Sequence, residues 1–312
     1  MDRKTQFREA FFEEIKAPLS ENVPLSAMSS FGIGGPADLF FEARTGADLE
    51  RAVSLAVREK YPFYVIGGGS NILFDDEGYR GLIIRNRLEG ITMEEGRLAV
   101  LSGTLLAAVL REALSGGLSG LEFLAGIPGT VGGALYGNAG AFGSCLGDFL
   151  ETATLLVPGG GSLEVGREGL GFGYRDSALK KNGAIVLRAV LLSPPGDKKT
   201  SDARIREVLE HRRQKHPPWG TACAGSYFKN PWPPGGDRLP AGRLLEQAGA
   251  RGLAIGDAAV YEKHCNFIIN KGNARSREVL LLAEELKERV FRQFGVRLEE
   301  EVVHVRADAS WR

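Results

Sequence analysis

The sequence predicts an α+β protein made of two α/β units and a third, compositionally different α+β part. Three observations predict it. Short apolar strands alternate with amphipathic helical stretches twice before residue 200, the pattern of α/β units. Glycine follows the same division: of 42 glycines, 32 precede residue 201 and 10 follow it. The polar stretch Ser193-Pro-Pro-Gly-Asp-Lys-Lys-Thr-Ser-Asp202 then reads as a linker. Beyond it glycine thins out and six prolines fall between Pro217 and Pro240. The predicted divisions are residues 1–90, 91–200 and 201–312.

Phe7, Phe11 and Ile15 recur every four residues, which predicts an N-terminal amphipathic helix that Pro18 to Pro24 ends. Asp38 to Glu42 is a short strand. Asp48 to Glu59 is a helix with Leu49, Ala52, Val53 and Ala56 on one face. Tyr64 to Ile66 is a buried strand running into Gly67-Gly-Gly-Ser-Asn71, and Leu82 to Ile84 is another. In the second unit, Leu98 to Leu101 is a strand and Leu105 to Leu114 a helix stopped by Gly116-Gly117. Thr152 to Val157 and Ser162 to Val165 flank a Pro-Gly-Gly-Gly turn, which predicts a hairpin. Ala184 to Leu192 is a long strand. After the linker come helices at Asp202 to Arg213 and Leu244 to Ala248, and a strand at Asn266 to Asn270. Ser276 to Phe294 is the longest helix, with Val279, Leu282, Leu286 and Val290 facing a core, and Val296 to Val305 is a closing strand.

Composition excludes several classes. Hydrophobic residues are 43% and charged residues 25%, which suits a folded soluble chain and not a disordered one. Lys plus Arg is 39 and Asp plus Glu is 39, so no basic excess points to nucleic acid. Residues 123–147 carry no charge but include eight glycines, Pro128 and Asn138, so they predict buried glycine-rich loops and no membrane span. The charged amphipathic N-terminus does not resemble a signal peptide. Three cysteines give no disulfide framework, and a reducing cytoplasm fits them. His264 and Cys265 are adjacent and the other His and Cys residues lack ligand spacing, so no metal site is expected.

The glycines cluster twice where backbone could approach a ligand. Gly67, Gly68 and Gly69, followed by Ser70 and Asn71, could converge several N–H groups on a diphosphate, or form a tight turn. No third glycine opens a helix there and no P-loop lysine follows, so this is neither dinucleotide fingerprint. The second cluster runs from Gly126 through Pro128, Gly129, Thr130, Gly132 and Gly133 to Asn138 and Gly140. It suits either a flat cofactor against bare backbone or close helix packing.

These segments carry a family resemblance. Ser29-Ser-Phe-Gly-Ile-Gly-Gly-Pro-Ala37, Val65-Ile-Gly-Gly-Gly-Ser-Asn-Ile-Leu73 and Leu121-Glu-Phe-Leu-Ala-Gly-Ile-Pro-Gly-Thr-Val-Gly-Gly-Ala134 resemble the UDP-N-acetylenolpyruvoylglucosamine reductases. So do Phe172-Gly-Tyr-Arg-Asp-Ser177, Gly225-Ser-Tyr-Phe-Lys-Asn-Pro231 and Lys263-His-Cys-Asn-Phe-Ile-Ile-Asn270, in order along residues 20–303. The resemblance implies an FAD-binding fold of the vanillyl-alcohol-oxidase type in two α/β subdomains, then a C-terminal α+β substrate domain. It implies FAD at both glycine clusters, NADPH as reductant, UDP-N-acetylglucosamine enolpyruvate as substrate and a cytoplasmic setting.

The implied reaction needs a cation for a carboxylate and an enolate, and one proton donor. Arg175 matches the family's catalytic arginine, and a guanidinium can hold a carboxylate through two hydrogen bonds. Ser226 matches the proton donor. The catalytic glutamate falls in Leu298-Glu-Glu-Glu-Val302, where placement before valine selects Glu301 and leaves Glu300 as the other register. Tyr174, Lys215 and Asn230 match substrate-binding positions. Arg204, Arg206, Arg212 and Arg213 around that lysine read as a basic helix face. No tyrosine lies between Arg175 and Lys215, so the chain resembles the shorter subtype, which lacks a tyrosine-bearing insertion. The competing reading is an FAD oxidase of the same cofactor fold acting on an alcohol or hydroxy acid.

Overall fold

The structure, a computed structural model, describes residues 2–233 and 236–309. Helix α1 (Arg3–Ile15) starts at Asp2, whose carboxylate accepts the Thr5 N–H at 2.8 Å. The proline-flanked stretch expected only to end this helix also forms strand β1 (Ser20–Pro24). Strand β2 (Pro36–Ala43) and helix α2 (Gly46–Arg58) follow, with the Thr45 hydroxyl accepting the Asp48 N–H at 3.1 Å. Next come β3 (Phe63–Ile66), β4 (Ile72–Phe74), β5 (Tyr79–Asn86), β6 (Ile91–Glu94), β7 (Arg97–Leu101), α3 (Leu106–Ser115) and α4 (Val131–Tyr136). A tight ribbon of β8 (Gly140–Ala141) and β9 (Ser144–Cys145) leads into β10 (Leu150–Val157) and β11 (Gly161–Gly166). Helix α5 (Leu179–Asn182) and β12 (Ile185–Leu192) precede α6 (Lys198–Lys215).

The stretch read as a linker to residue 202 is shorter in the structure. Asp197 accepts the Thr200 N–H at 2.8 Å, so helix α6 begins at Lys198. Helix α7 (Ala241–Gln247), β13 (Ala254–Ile255), β14 (Ala258–Val260), β15 (Ile268–Asn270), α8 (Ser276–Phe294) and β16 (Val303–Val305) complete the chain. The expected closing strand 296–305 is regular only over its last three residues. Before them the chain is extended, with Glu300 bridging to Phe228.

Contacts divide the chain into two compact units of separated stretches. The first holds Met1–Glu21, Leu39–Gly68 and Gly81–Arg212. It contains a five-stranded antiparallel sheet in the order β11-β10-β12-β7-β6, whose core with α3 includes Leu98, Val109, Leu155 and Ala189. A second core joins Phe7 and Phe11 of α1 to Leu49 and Val53 of α2, Leu39 and Phe41 of β2, and Leu82 and Ile84 of β5. Strand β3 pairs in parallel with β5, and it delivers the chain to Gly67.

The second unit holds Asn22–Asp38, Gly69–Arg80 and Arg213–Arg312. Its three-stranded sheet runs β13-β14-β15, and β16 pairs in parallel with β4, Val303 opposite Ile72. Helix α8 packs Val279, Leu282, Leu286 and Val290 into this core as the period predicts, and Gly295 ends it in a left-handed conformation at φ +67. Among the described residues no helix is long and apolar enough to cross a membrane, and no group of His, Cys, Asp and Glu is placed to hold a metal ion.

Candidate active site

The two glycine clusters meet in the first unit. A Cβ on Gly67 would stand 2.3 Å from the Thr130 hydroxyl, and one on Gly68 would stand 3.3 Å from the Gly129 Cα. Backbone therefore packs on backbone, and side chains at these positions would push the loops apart. Gly68, Pro128 and Gly133 are exposed beside this contact, so two glycines and a proline ring face outward there. That surface is what a flat cofactor pressed on main chain requires. Thr130 is buried and caps α4 by accepting the Gly133 N–H at 3.5 Å. Gly132 donates to the Ser102 carbonyl at 2.8 Å, which fixes α4 on the end of β7.

Gly126 has a different neighbour. At φ +75, its missing Cβ would lie 2.9 Å from the Arg212 Cδ. Arg212 sits on α6 but not on the solvated basic face expected of it: its Nε and Nη2 are buried.

Arg175 belongs to the first unit and occupies a turn closed by Gly173 and Asp176, which exchange hydrogen bonds at 3.0 and 3.3 Å. Its own backbone is left-handed at φ +54, an uncommon conformation for a residue other than glycine. Its guanidinium donates to the Gly140 carbonyl at 2.7 Å and lies 5.4 Å from the Tyr174 ring centre. Lys180 donates to the Arg175 carbonyl at 2.6 Å. Asn138, buried and at φ +44, ties the Arg175 turn to the glycine-rich loop. Its amide donates to the Gly173 carbonyl at 2.9 Å and its oxygen accepts the Gly147 N–H at 3.0 Å. So Asn138 and Gly140, expected at the cofactor, are also what holds the arginine turn. Burial, with Asp176 nearby, pushes the neighbouring Tyr136 phenol up to about 12, so it stays protonated in neutral solution.

The other site residues lie in the second unit. Gly69, at φ +64, gives its carbonyl to the Ser30 N–H at 3.1 Å, and a Cβ there would strike the Met28 carbonyl. Ser70 is half-buried beside it. The Asn71 amide donates to the Glu301 carbonyl at 3.0 Å, and the Asn71 carbonyl accepts the Val303 N–H at 3.0 Å. On the opposite side, Glu301 N–H donates to the Tyr227 carbonyl at 2.8 Å, one residue past Ser226.

The glutamate register is physically distinct at each position. Glu299 pairs with Lys229 at 3.1 Å and Glu300 pairs with Lys287 of α8 at 2.7 Å. Glu301 is held by its backbone, its N–H donating to Tyr227 and its carbonyl accepting from Asn71. Burial lowers the Lys287 pKa, yet its hydrogen bonds with Glu284 and Glu300 outweigh that and raise it.

Gly225 stands at φ +76 with nothing within 4 Å of where a Cβ would be, so conformation and not crowding selects glycine before Ser226. Asn230 accepts the Ala241 N–H at 2.9 Å and so starts α7, and Lys215 is exposed at the end of α6. One residue of the site was not singled out from sequence. Asn266 is buried, donates to the Phe228 carbonyl and accepts the Phe228 N–H, each at 2.9 Å. It lies within Lys263-His-Cys-Asn-Phe-Ile-Ile-Asn270, whose polar residue amid apolar ones was the available signal.

Comparison with known proteins agrees with this construction. Residues 37–166 match an FAD binding domain, and residues 217–305 match the C-terminal domain of UDP-N-acetylenolpyruvoylglucosamine reductase. The enzyme of that name from Clostridium botulinum is 36% identical over 97% of this chain and 98% of its own length. One from Symbiobacterium thermophilum is 41% identical over 89% of each chain. The crystal structure of the reductase from Thermus caldophilus superposes with a TM-score of 0.77 at 37% identity, covering 91% of this chain and 98% of that one. The fold is thus the expected α+β arrangement containing an FAD-binding fold of the vanillyl-alcohol-oxidase type. On this agreement of sequence, domain content and fold, the chain belongs to the UDP-N-acetylenolpyruvoylglucosamine reductase family.

Proposed function

We propose that this protein reduces UDP-N-acetylglucosamine enolpyruvate to UDP-N-acetylmuramate, a peptidoglycan precursor, with NADPH as reductant and FAD as cofactor. The reaction belongs in the cytoplasm, where both small molecules are made. Residues 1–90 and 91–200 supply the FAD-binding subdomains and residues 201–312 the substrate domain. FAD held there would supply the hydride chemistry that links NADPH to the terminal enolpyruvyl carbon. The bare backbone around Gly67, Gly68, Gly129 and Gly133 fits that cofactor, with Gly69, Ser70, Asn71, Gly126, Pro128, Thr130 and Gly132 continuing the two loops and Asn138 and Gly140 behind them.

The chain's own residues then meet the charge that develops on the substrate. Arg175 holds the carboxylate and stabilises the enolate as charge moves onto it. Aimed donors of this kind are worth about 2.7–4 kcal/mol each in measured oxyanion sites. Ser226 donates the proton to the adjacent carbon. Glu301 acts with Arg175 on the enolate, and its backbone link to Tyr227 keeps it in register with Ser226. Glu300 is the weaker candidate because its carboxylate already pairs with Lys287. Tyr174, Lys215 and Asn230 contact the UDP-sugar, the lysine as a flexible charge suited to phosphate.

The observation that carries this reading is the coupling of the Ser226 and Glu301 segments by one backbone hydrogen bond, in a chain of this family. Anaerobic stopped-flow tests it. The flavin of the holoenzyme bleaches with NADPH and is reoxidised by UDP-N-acetylglucosamine enolpyruvate. Bleaching with no substrate-driven reoxidation would sink the assignment. Ser226→Ala slows reoxidation while bleaching changes little; an equal fall in both removes the proton-donor role.

A further inference from the structure

Arg212 carries an unmet requirement. Its Nε and Nη2 are buried and hydrogen-bond to no described residue. The guanidinium carbon stands 5.7 Å from the centre of the Phe142 ring, at the tip of the β8–β9 ribbon. Phe142 is itself held left-handed at φ +54, and Gly126 leaves the space through which the Arg212 stem passes. A half-buried arginine with two guanidinium nitrogens buried and unpaired is costly, and an aromatic face returns only part of that cost. Burial pushes the Arg212 pKa down, and the neighbouring Arg175 charge pushes it in the same direction. Arg175 donates to the Gly140 carbonyl in strand β8, so both guanidiniums are anchored on the β8–β9 ribbon, and two like charges there, one with buried donors unused, are stable together when an oxyanion sits against them.

We propose that Arg212 is a second anion-binding residue of the site, which with Arg175 takes a carboxylate or phosphate group of the UDP-sugar substrate. The proposal rests on the functional reading above. An oxyanion could also come from the FAD diphosphate, and the experiment separates the two sources.

The test uses holoenzyme of wild type, Arg212→Met and Arg212→Lys. Flavin content is measured on the purified proteins. The substrate Kd is read from the change it makes in the flavin absorbance, and KM and kcat are measured separately. Arg212→Met is expected to keep its flavin and weaken substrate binding by roughly 10- to 100-fold, with Arg212→Lys between it and wild type. Without substrate, Arg212→Met melts no lower than wild type, because it removes a buried unpaired charge. A substrate Kd within twofold of wild type in Arg212→Met overturns the proposal. So does loss of flavin with an unchanged substrate Kd after FAD is restored, which assigns Arg212 to the cofactor. If Arg212→Met does not fold, Arg212→Gln replaces it under the same criteria. Failure of wild-type flavin to be reoxidised by substrate would instead remove the functional reading itself.

Discussion

The side-chain amide of Asn71 donates to the main-chain carbonyl of Glu301 at 3.0 Å, joining residues 230 positions apart. The loop that follows Gly67 and Gly68 thus holds in place the segment that carries Glu301. Asn71→Ala removes one hydrogen bond, worth about 1 kcal/mol of stability. Its larger effect is on geometry: Glu301 loses a tether on one side. Reoxidation of reduced flavin by substrate is expected to slow by roughly 10- to 100-fold, the scale of a small misplacement. Bleaching by NADPH slows less. Stopped-flow on both half-reactions checks this, and equal slowing would make Asn71 a cofactor residue only.

Asn266 does for Phe228 what Asn71 does for Glu301. Its side chain satisfies both the N–H and the carbonyl of Phe228, two residues after Ser226. Asn266→Ala leaves two buried backbone groups without partners, at about 1–3 kcal/mol each. A loss of roughly 2–6 kcal/mol in urea unfolding is expected. A change below about 1 kcal/mol would mean that water reaches this strand in the folded protein.

Much of this fold was legible because its signals are local. The four-residue spacing of Phe7, Phe11 and Ile15 and the stripe of Val279, Leu282, Leu286 and Val290 report which faces are buried, and both hold. Strand limits were less legible. Residues 296–305 read as one strand, yet they pair regularly only from Val303, because pairing depends on where β4 lies. The side-chain duties of Asn266 and Arg212 were not legible at all. A polar residue in an apolar run shows that something is satisfied, but not by what. One arginine among four on a helix gives no sign of which is buried. Composition located the glycines, whereas their reasons diverge: Gly67 yields to Thr130, Gly126 to Arg212, and Gly225 to its own backbone.

That divergence makes a contrast between two alanine substitutions. At Gly69 the backbone is left-handed and a Cβ would collide with the Met28 carbonyl. Conformational strain of about 1–2 kcal/mol and overpacking of about 1–3 kcal/mol both apply to Gly69→Ala. Gly225 is equally left-handed but opens on space, so Gly225→Ala carries only the first cost, about 1–2 kcal/mol. Chemical denaturation of the two variants should therefore rank Gly69→Ala as the less stable. The reverse order would show that the Met28 segment gives way without penalty.

His304, in β16 and three residues past Glu301, sets a pH dependence. Burial pushes its imidazole below the ordinary 6.5, while Asp75, 3.9 Å from Nε2, pulls it up and Arg306 pushes it down again. Asp76 and Glu300 add smaller upward pulls, and the downward shift remains. A histidine with a depressed folded pKa binds more protons in the unfolded chain than in the folded one. Its contribution is fully present above pH 6.5 and is lost as pH falls from there toward the folded pKa. One site can change stability by at most about 1.4 kcal/mol per pH unit. Wild-type protein should lose stability between about pH 7.5 and 5.5, a window in which ordinary carboxylates scarcely titrate. His304→Gln should flatten that slope, because glutamine has no proton to gain. Urea unfolding of both proteins at the two pH values measures the difference, and parallel slopes would place the titrating group elsewhere.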